Sequence, residues 1–257
     1  MRANERQQRI LEFLRNQERV SVAELAEKYA ASQETIRRDL TALADRGLVN
    51  KYHGGASLSM VSEDENAFLA RMHEHVNEKK MIACQAARLF SPGDSIFIDT
   101  GTTTLFFARA LSSVSRLTVV TNSLQIARAV GRSGSRVFMI GGEYHPDAEE
   151  NLGALALEQV SRFNADHAVI TVGALSTDGA MDFSIEEAEM ARAMVKQARY
   201  LTVIADSSKL GKRAMFQIFP LSRIDRLVIN RLPTGPLMEA LKEAQVEIIA
   251  PSANYSE

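Results

Sequence analysis

Two hydrophobic patterns follow one another along this chain. Within residues 5–17, Ile10, Leu11, Phe13 and Leu14 form one apolar stripe at helical spacing. From Ser95 onward, the apolar residues instead form short runs rich in Val and Ile, and these runs alternate with helical stretches. The pattern predicts a small helical domain followed by a larger domain of alternating strands and helices.

Two more helices are predicted after the first. Ser21 and Glu24 have the spacing of a capping box, in which the hydroxyl and the carboxylate each accept a hydrogen bond from a backbone N–H. Ser32 can cap a third helix, and Gly47 can end it. The buried stripe of this third helix is predicted to consist of Ile36, Leu40 and Leu43.

The opposite side of the third helix is polar. Arg37 and Arg38 lie near its start, after a helix and a tight turn, as in a helix-turn-helix whose recognition helix enters the major groove. Arg can contact guanine or phosphate bidentately, and Thr41 can reach a base edge or a phosphate. "GLVNKYHGGASL" then predicts the two strands of a wing, on which Lys51 and His53 could touch DNA. A bundle with solvated arginines and a protein-binding winged helix remain as alternatives.

About 37 residues of this region, "VSVAELAEKYAASQETIRRDLTALADRGLVNKYHGGA", resemble the N-terminal signature of the DeoR family of bacterial transcription regulators. The resemblance implies that T-I-R-R-D-L belongs to the operator-reading helix and that H-G-G-A forms the wing tip. Lys51 departs from the family, which often has Arg there, so a bidentate contact is not expected at this position. The residues expected to bind DNA are Ser32, Thr35, Arg37, Arg38, Thr41, Lys51, His53, Gly54 and Gly55.

The apolar runs of the second part are typical of parallel strands that are buried on both faces. They predict an α/β domain with a mainly parallel sheet, whose ligand binds beyond the carboxyl ends of the strands. The runs are "SIFIDT", "LTVVTN", "RVFMIGG", "HAVITVG", "YLTVIAD", "RLVINR" and "VEIIA".

Small, hydroxylated or charged residues follow five of these strands. Glycine and threonine let backbone N–H groups approach an anion, the next helix adds its N-terminal partial charge, and Lys209 adds a full positive charge. Asp99 and Asn122 could hold ligand hydroxyls. The five strand ends together therefore predict a binding site whose ligand is a small polyhydroxylated phosphate. Each end taken alone is more often a turn. The ends are Asp99-Thr100-Gly101-Thr102-Thr103, Thr121-Asn122-Ser123, Gly141-Gly142, Gly173 and Asp206-Ser207-Ser208-Lys209.

Motifs spread over about 135 residues resemble the DeoR-family sensor domain: "NEKKMIACQAARLFSPGDSIFIDTGTTT", "VVTNS", "IGGEY", "VGALSTDGAMD", "EEAEMARAM" and "ADSSKLGK". The resemblance implies a fold similar to ribose-5-phosphate isomerases and a phosphorylated sugar or polyol as effector. Ala191 departs from the family, where Lys is common at this position. Counting Glu187, which only the resemblance implies, the expected effector-binding residues are Asp99, Thr100, Gly101, Thr102, Thr103, Asn122, Gly142, Gly173, Glu187 and Lys209.

An isomerase is the enzymatic alternative, since it needs a carboxylate to move a proton and a cation to stabilise the enediolate. A DNA-binding domain on the same chain favours sensing over turnover, so we expect a repressor rather than an enzyme. A protein-interaction scaffold is the third possibility. The side chains that could serve an isomerase are Asp99, Asp178, Asp182, Glu186 and Glu187 with Lys209.

Sequence length and polarity set the predicted domain limits. With 257 residues, of which 46% are hydrophobic, the chain can form two cores. We predict a winged helix-turn-helix domain at 1–58, a polar linker at 59–76 and an effector-sensing domain at 77–257. Residues 1–56 carry ten basic and eight acidic side chains, a mild positive excess in a chain of net charge −2.

Other expectations concern compartment and partners. Cys84, the single cysteine, is expected to be a buried thiol, and no apolar run approaches the ~20 residues that cross a bilayer, so we expect a cytoplasmic protein without membrane contact. His73 and His75 point to different faces of a helix, and we expect neither a metal nor a cofactor. Because one module offers few contacts to operator DNA, a homo-oligomer is expected.

Overall fold

The computed structural model describes residues 3–15, 20–44, 49–52, 54–58 and 63–251. The chain forms two compact units, residues 1–70 and residues 71–257. Over the described ranges, no helix is both long enough and apolar enough to cross a bilayer.

The first unit has the predicted helix-turn-helix and wing. Its strands form one antiparallel sheet in the order β1-β3-β2, and Tyr52 pairs with Gly55 next to the wing turn. Gly47, the predicted end of α3, and His53, predicted at the wing tip, lie outside the described residues. The elements are α1 (Ala3–Arg15), β1 (Val20–Ser21), α2 (Val22–Lys28), α3 (Gln33–Ala44), β2 (Val49–Tyr52) and β3 (Gly55–Leu58).

Both predicted helix caps are present. The backbone N–H of Ser21 donates to Glu24 at 2.7 Å, and the N–H of Glu24 donates to the Ser21 hydroxyl at 3.1 Å, which completes the capping box of α2. At the start of α3, the Thr35 N–H donates to the Ser32 hydroxyl at 3.1 Å. The predicted stripe of α3 is buried and packs with α1, α2 and the wing strands; it consists of Ile36, Leu40 and Leu43.

A buried ion pair ties α1 to α3. Asp39 lies on the inner side of α3, where its carboxylate accepts from Arg6 Nε at 2.5 Å and from Gln7 Nε2 at 3.1 Å. The apolar pattern does not predict this contact, because it marks only the hydrophobic members of a buried face.

The segment predicted as a linker, residues 59–76, is helical over most of its length. The helix α4 (Glu63–His73) contains the boundary between the two units. Good helix formers such as Glu, Ala and Leu form this helix without the sustained apolar stripe that the prediction sought. The limits proposed for the two domains remain predictions.

The next helix, α5 (Val76–Ala87), corrects the expectation for Cys84. Its buried face consists of apolar residues together with Lys79, whereas Cys84 lies on the other side and is exposed. The apolar letters around Cys84 are shared between two faces of the helix, which makes the thiol look more buried than it is.

The second unit contains a seven-stranded parallel sheet in the order β15-β14-β12-β9-β4-β5-β6, and each of the seven predicted runs supplies one strand. Its further elements are β4 (Ser95–Ile98), α6 (Thr102–Ala110), β5 (Thr118–Thr121), α7 (Leu124–Val130), β6 (Arg136–Met139), β7 (Glu143–His145), β8 (Glu150–Leu152), α8 (Ala154–Val160), β9 (Ala165–Ile170), β10 (Ala174–Ser176), β11 (Gly179–Asp182), α9 (Ile185–Lys196), β12 (Ala198–Ala205), β13 (Phe216–Phe219), β14 (Arg226–Ile229), α10 (Pro236–Glu243) and β15 (Glu247–Ile249).

Both faces of this sheet are buried, as the continuous apolar runs predicted. Phe97 packs into a cluster with α8, α9 and α10, whereas its neighbours Ile96 and Ile98 pack into a second cluster with α5, α6 and α7. Alternate side chains of one strand thus point into two different cores, which requires both sets to be apolar.

The strand order reverses between β4 and β9. From β4, the chain adds β5 and then β6 on one side, and then returns to place β9, β12, β14 and β15 on the other side. The loops after β4 and β9 therefore diverge and leave a crevice at the carboxyl ends of these two strands.

Two small antiparallel sheets were not predicted. The pair β7-β8 follows β6, and β10, β11 and β13 form a three-stranded sheet after β9. Their strands have only three or four residues, too few to display an alternating pattern.

We expect Asp39→Ala to destabilise the first unit by about 3 kcal/mol, because it removes the buried carboxylate that accepts from Arg6 and Gln7. Amide hydrogen exchange of α1 and α3 in the full chain measures this loss. The matched control is Glu34→Ala on the same helix, whose exposed carboxylate lies 3.5 Å from Arg38; its cost should stay below about 1 kcal/mol. Equal losses in the two variants would contradict a structural role for the Arg6 pair.

Candidate functional site

The outer face of α3 carries the two arginines predicted to meet DNA. The side chains of Arg37 and Arg38 are 60% and 80% exposed, and both lie within 4.0 Å of the Glu34 carboxylate. Ser32 and Thr35 precede them, with their hydroxyl oxygens 2.8 Å apart. This face thus presents two guanidinium groups beside the N-terminal turn of the helix.

A hydrogen-bonded chain connects α3 to the wing. The Thr41 hydroxyl donates to the Arg37 carbonyl at 2.8 Å and accepts from Lys51 Nζ at 2.8 Å. Lys51 is exposed on β2, so its ammonium lies beside the arginine face of α3.

The two described glycines of the wing have different surroundings. Gly54 is exposed and has a φ of +89°, a conformation that favours glycine. Gly55 is buried, and a Cβ atom there would lie 2.3 Å from the Val20 carbonyl oxygen. The structure therefore places Gly54 at the surface, while Gly55 permits close packing of β3 against β1.

In the second unit, the crevice between β4 and β9 is organised by Asp99. The Asp99 side chain is only 7% exposed, and both of its carboxylate oxygens accept from the Thr171 N–H at 3.1 Å. Because Thr171 directly follows β9, this contact bridges the two strands at which the sheet changes direction.

The turn after Asp99 brings the Gly101 backbone against the side chain of Thr171. A Cβ atom on Gly101 would lie 2.3 Å from the Thr171 side chain, so only glycine fits there without a shift. Gly101 is also the N-cap of α6, and it has no side chain that could occupy the first N–H groups of the helix. The N-terminal turn of α6, with Thr102 and Thr103, therefore lines the crevice with its positive partial charge.

Cationic side chains gather around this turn and form what we call the basic end of the cleft, a space of about 490 Å³ that includes its open mouth. Lys79 is 3% exposed and donates to the Arg71 carbonyl oxygen. Burial lowers the pKa of Lys79, and burial likewise lowers the pKa of Lys209. The titratable residues that line this end are Arg71, His75, Lys79 and Lys209, together with Glu74, Asp182, Glu187 and Asp206.

Carboxylates gather on the other side and form the acidic end. Asp99, Glu150, Asp182 and Glu187 line a space that adjoins the basic end, since Thr100, Asp182 and Glu187 line both spaces. Glu150 is 3% exposed and accepts from Asn122 Nδ2 at 2.9 Å. The lysine and arginine side chains of the cleft therefore lie at the end that holds the N-terminus of α6, whereas the acidic end, among the described residues, has carboxylates and no cationic side chain.

The carboxylates of the acidic end are held in an unfavourable environment. Burial raises the pKa of Asp99 well above its ordinary value, with repulsion from the other three carboxylates adding to the effect, although the Thr171 N–H opposes it. Burial also raises the pKa values of Glu150 and Asp182. This is the pattern expected of a binding site that a ligand completes.

Most of the predicted effector residues line this cleft, and Gly142 does not. Gly142 lies between β6 and β7, where a Cβ atom would be 2.5 Å from the Leu152 carbonyl oxygen, so it serves close packing of the hairpin. Asp178 pairs with Arg213 at 2.9 Å, and Glu186 is exposed beside Ser184; neither lines the cleft. The residues that do line it are Asp99, Thr100, Gly101, Thr102, Thr103, Asn122, Gly173, Glu187 and Lys209.

Sequence reasoning missed Arg71, Lys79, Glu150 and Thr171. Lys79 carried a usable signal, since it shares a helical face with Ile82, Ala83 and Ala86. A lysine is rarely buried in an apolar stripe unless its charge has a partner. Glu150 and Thr171 carried none, because their position depends on a hairpin and on strand pairing.

Comparison with known protein families assigns both units. Residues 6–60 match the model of the DeoR-like helix-turn-helix domain, and residues 74–231 match that of the DeoR C terminal sensor domain. The second match alone covers more than half of the chain.

Curated relatives align over nearly the full length. The Glycerol-3-phosphate regulon repressor of Escherichia coli strain K12 is 30% identical over 96% of this chain and 99% of that protein. The HTH-type transcriptional repressor CsqR of the same organism is 33% identical, over 96% and 95%. The HTH-type transcriptional repressor GlcR of Bacillus subtilis strain 168 is 30% identical, over 97% and 96%.

Among solved structures, a D-ribose-5-phosphate isomerase in complex with phospho-erythronic acid aligns with 51% of this chain and 52% of that chain, at 19% identity and a TM-score of 0.39.

The raised pKa of Asp99 predicts a particular dependence of stability on pH. The folded chain keeps a proton that the unfolded chain releases above a pKa of 3.8, so the free energy of unfolding falls as the pH rises from that value through the folded pKa. Each pKa unit between the folded and the unfolded value changes the free energy of unfolding by ~1.4 kcal/mol. Asp99→Asn should therefore stabilise the ligand-free protein at about pH 7.5 and bring little gain near pH 4.

Urea unfolding of the full chain at both pH values measures this difference. Asp166→Asn is a control of opposite sign, because hydrogen bonds from Ser95 lower the pKa of Asp166, so its contribution is present at neutral pH and is lost in acid. A loss of stability in Asp99→Asn that is the same at both pH values would show that Asp99 is not a strained carboxylate.

Proposed function

We propose that this chain, which belongs to the DeoR family of transcription regulators, is a DNA-binding repressor whose affinity for its operator is lowered when a small phosphorylated sugar or polyol binds in the cleft between β4 and β9. The observation that carries the proposal is the presence of two separate polar sites on one chain. One is the exposed arginine face of α3, and the other is the polar cleft of the second unit.

The DNA-binding part of the proposal rests on α3 and the wing. Arg37 and Arg38 are exposed at the N-terminal half of the helix that a helix-turn-helix inserts into the major groove. Ser32, Thr35 and Thr41 lie along the same helix at positions from which hydroxyls could bind phosphates or base edges, and Lys51 would add a phosphate contact from the wing. Gly54, which is exposed, would lie at the wing tip.

The effector part rests on the basic end of the cleft. A phosphate group there would accept from the first N–H groups of α6 and would lie near the ammonium group of Lys209. Hydroxyl groups of the ligand would then extend towards Asp99 and Asn122 at the acidic end. The name of one relative, the Glycerol-3-phosphate regulon repressor of Escherichia coli, supports a phosphorylated effector.

The two activities would be coupled through subunit arrangement. Two or more copies would place α3 on half-sites separated by about one helical turn of DNA, or a multiple of it. An effector that favours a different arrangement by only ~1.4 kcal/mol would lower operator affinity tenfold.

We propose that the cleft binds its ligand without converting it. The raised pKa values of Asp99, Glu150 and Asp182 would also suit a general base, which is the specific observation in favour of an isomerase. The relatives are named as repressors, and this supports binding alone. Incubation of the protein with the bound sugar phosphate, followed by NMR, would detect any isomerised product.

We expect Arg38→Ala to weaken operator binding by ~1 to 3 kcal/mol and to leave effector affinity unchanged. Fluorescence anisotropy on DNA from upstream of the protein's own gene, at fixed salt, measures the change. Arg132→Ala, which removes an exposed arginine from the second unit, is the matched control and should bind the operator normally. Unchanged operator affinity in Arg38→Ala would exclude α3 as the recognition helix.

We expect Lys209→Ala to bind the operator normally without effector but to need about ten- to a hundredfold more effector for release, because a charged contact to the phosphate is lost. Lys212→Ala removes a neighbouring exposed lysine and should respond as the unmodified protein does. A Lys209→Ala protein that is released at the ordinary effector concentration would refute the role of Lys209 in anion binding.

A further inference from the structure

The acidic end of the cleft is rich in hydrogen-bond acceptors, and the Thr100 hydroxyl and the Asn122 amide are the side-chain donors that line it. Four carboxylates line it, and Met190 and Ala191 contribute apolar atoms to the same wall. Among the described residues, no lysine, arginine or histidine lines this end. Even if Asp99 keeps its proton, the oxygen atoms of these carboxyl groups outnumber the donors at this end, so a ligand group that donates hydrogen bonds fits this wall.

Asn122 gives an independent indication of a missing donor. Its side chain is 1% exposed, and its NH2 group is used by Glu150 at 2.9 Å and by the Asn151 carbonyl at 3.3 Å. These two contacts fix the orientation of the amide. Its oxygen atom, Oδ1, has no hydrogen-bond partner within the described part of the chain. A buried acceptor without a partner is costly, and because Asn122 lines the cleft, a ligand can satisfy it.

The charges around Asp99 and Glu150 are also incompletely balanced. Asp182, Glu187 and Glu150 all lie close enough to Asp99 to repel its charge, and Glu150 lies close to Asp182 and to His145 of the hairpin. Asp182 differs, since burial raises its pKa but Arg71 lies close enough to oppose this. The uncompensated negative charge is therefore concentrated at Asp99 and Glu150.

A hydroxyl group would satisfy this wall poorly. It donates one hydrogen bond and brings two lone pairs, which would face the lone pairs of the carboxylates. An ammonium group brings three donors, no acceptor and a full positive charge. A divalent metal ion is the other obvious cation, but among the described His, Cys, Asp and Glu side chains no group of three could hold one.

We propose that the effector is a phosphorylated amino sugar or amino polyol, whose ammonium group binds at Asp99, Glu150 and the Oδ1 atom of Asn122 while its phosphate binds at the N-terminus of α6. This inference rests on the proposed function and adds the second charged group of the ligand. The two ends of the cleft adjoin, because Thr100, Asp182 and Glu187 line both, and one small molecule with opposite charges at its two ends would reach both. The cation that the acidic end lacks is supplied by the ligand.

The test compares phosphates that differ in a single group. Isothermal titration calorimetry at about pH 7 measures binding of D-glucosamine 6-phosphate and D-glucose 6-phosphate to the full-length protein, and the galactose epimers provide a second pair. At least one amino phosphate should bind about tenfold more tightly than its hydroxyl counterpart, since a charge-assisted hydrogen bond replaces a neutral one. Operator release, followed by anisotropy, should show the same preference.

Asp99→Asn keeps an acceptor for the Thr171 N–H and removes the charge, so it should reduce the amino preference to within about threefold while hydroxyl phosphates still bind. Glu150→Gln makes the same test at the second carboxylate if Asp99→Asn does not fold. Glu189→Gln, an exposed carboxylate on α9 that does not line the cleft, is the matched control and should keep the full preference.

Each outcome decides the matter. Equal or tighter binding of the hydroxyl phosphates would overturn the inference that the effector carries an amino group, and it would leave the proposed sensor function intact. An amino preference that persists in both Asp99→Asn and Glu150→Gln would overturn its placement at the acidic end. No binding and no operator release by any of the four phosphates would overturn the inference, whereas the proposed function would be overturned only if phosphorylated polyols such as glycerol 3-phosphate also failed to bind and to release the operator.

Discussion

The parallel pairing of β4 with β9 is the constraint on which the second unit depends. Ile96, Phe97 and Ile98 pair in register with His167, Ala168 and Val169, and Asp99 then accepts from the Thr171 N–H just beyond the paired residues. These strands lie about 70 residues apart in sequence, and their pairing both starts the two halves of the sheet and opens the cleft between them. The close contact of Gly101 with Thr171 follows from the same pairing.

That pairing also determines the electrostatics of the cleft. The pairing buries the Asp99 carboxylate, and a charge removed from water is energetically costly. The same pairing places the N-terminus of α6 beside Asp99. The small sheet β10-β11-β13 and the hairpin β7-β8 add Asp182 and Glu150 to the acidic end. The ligand-free site is therefore strained by repulsion between like charges, and a ligand that relieves this repulsion gains binding energy from it.

In the first unit, polar contacts determine how the surface groups are presented. The Arg6–Asp39 pair joins α1 to α3 from the inside, and the Lys51–Thr41 contact joins the wing to α3 at the surface. Arg37 and Arg38 are thus carried by a helix that is fixed on both sides. Their exposed guanidinium groups remain available for the phosphates and base edges of DNA.

The sequence by itself determined the kinds of elements and their order. Helical periodicity around Ile36, capping chemistry at Ser21 and Ser32, and seven Val- and Ile-rich runs act over a few neighbouring residues, so they predicted the winged helix-turn-helix and all strands of the parallel sheet. Asp99 and Lys209 could likewise be recognised, because each follows such a run. The tertiary structure alone decided which strand ends meet. It brought Lys79, Glu150 and Thr171 to the cleft and left Gly142 and Asp178 outside it, since strand order and hairpin packing depend on contacts between residues far apart in the chain.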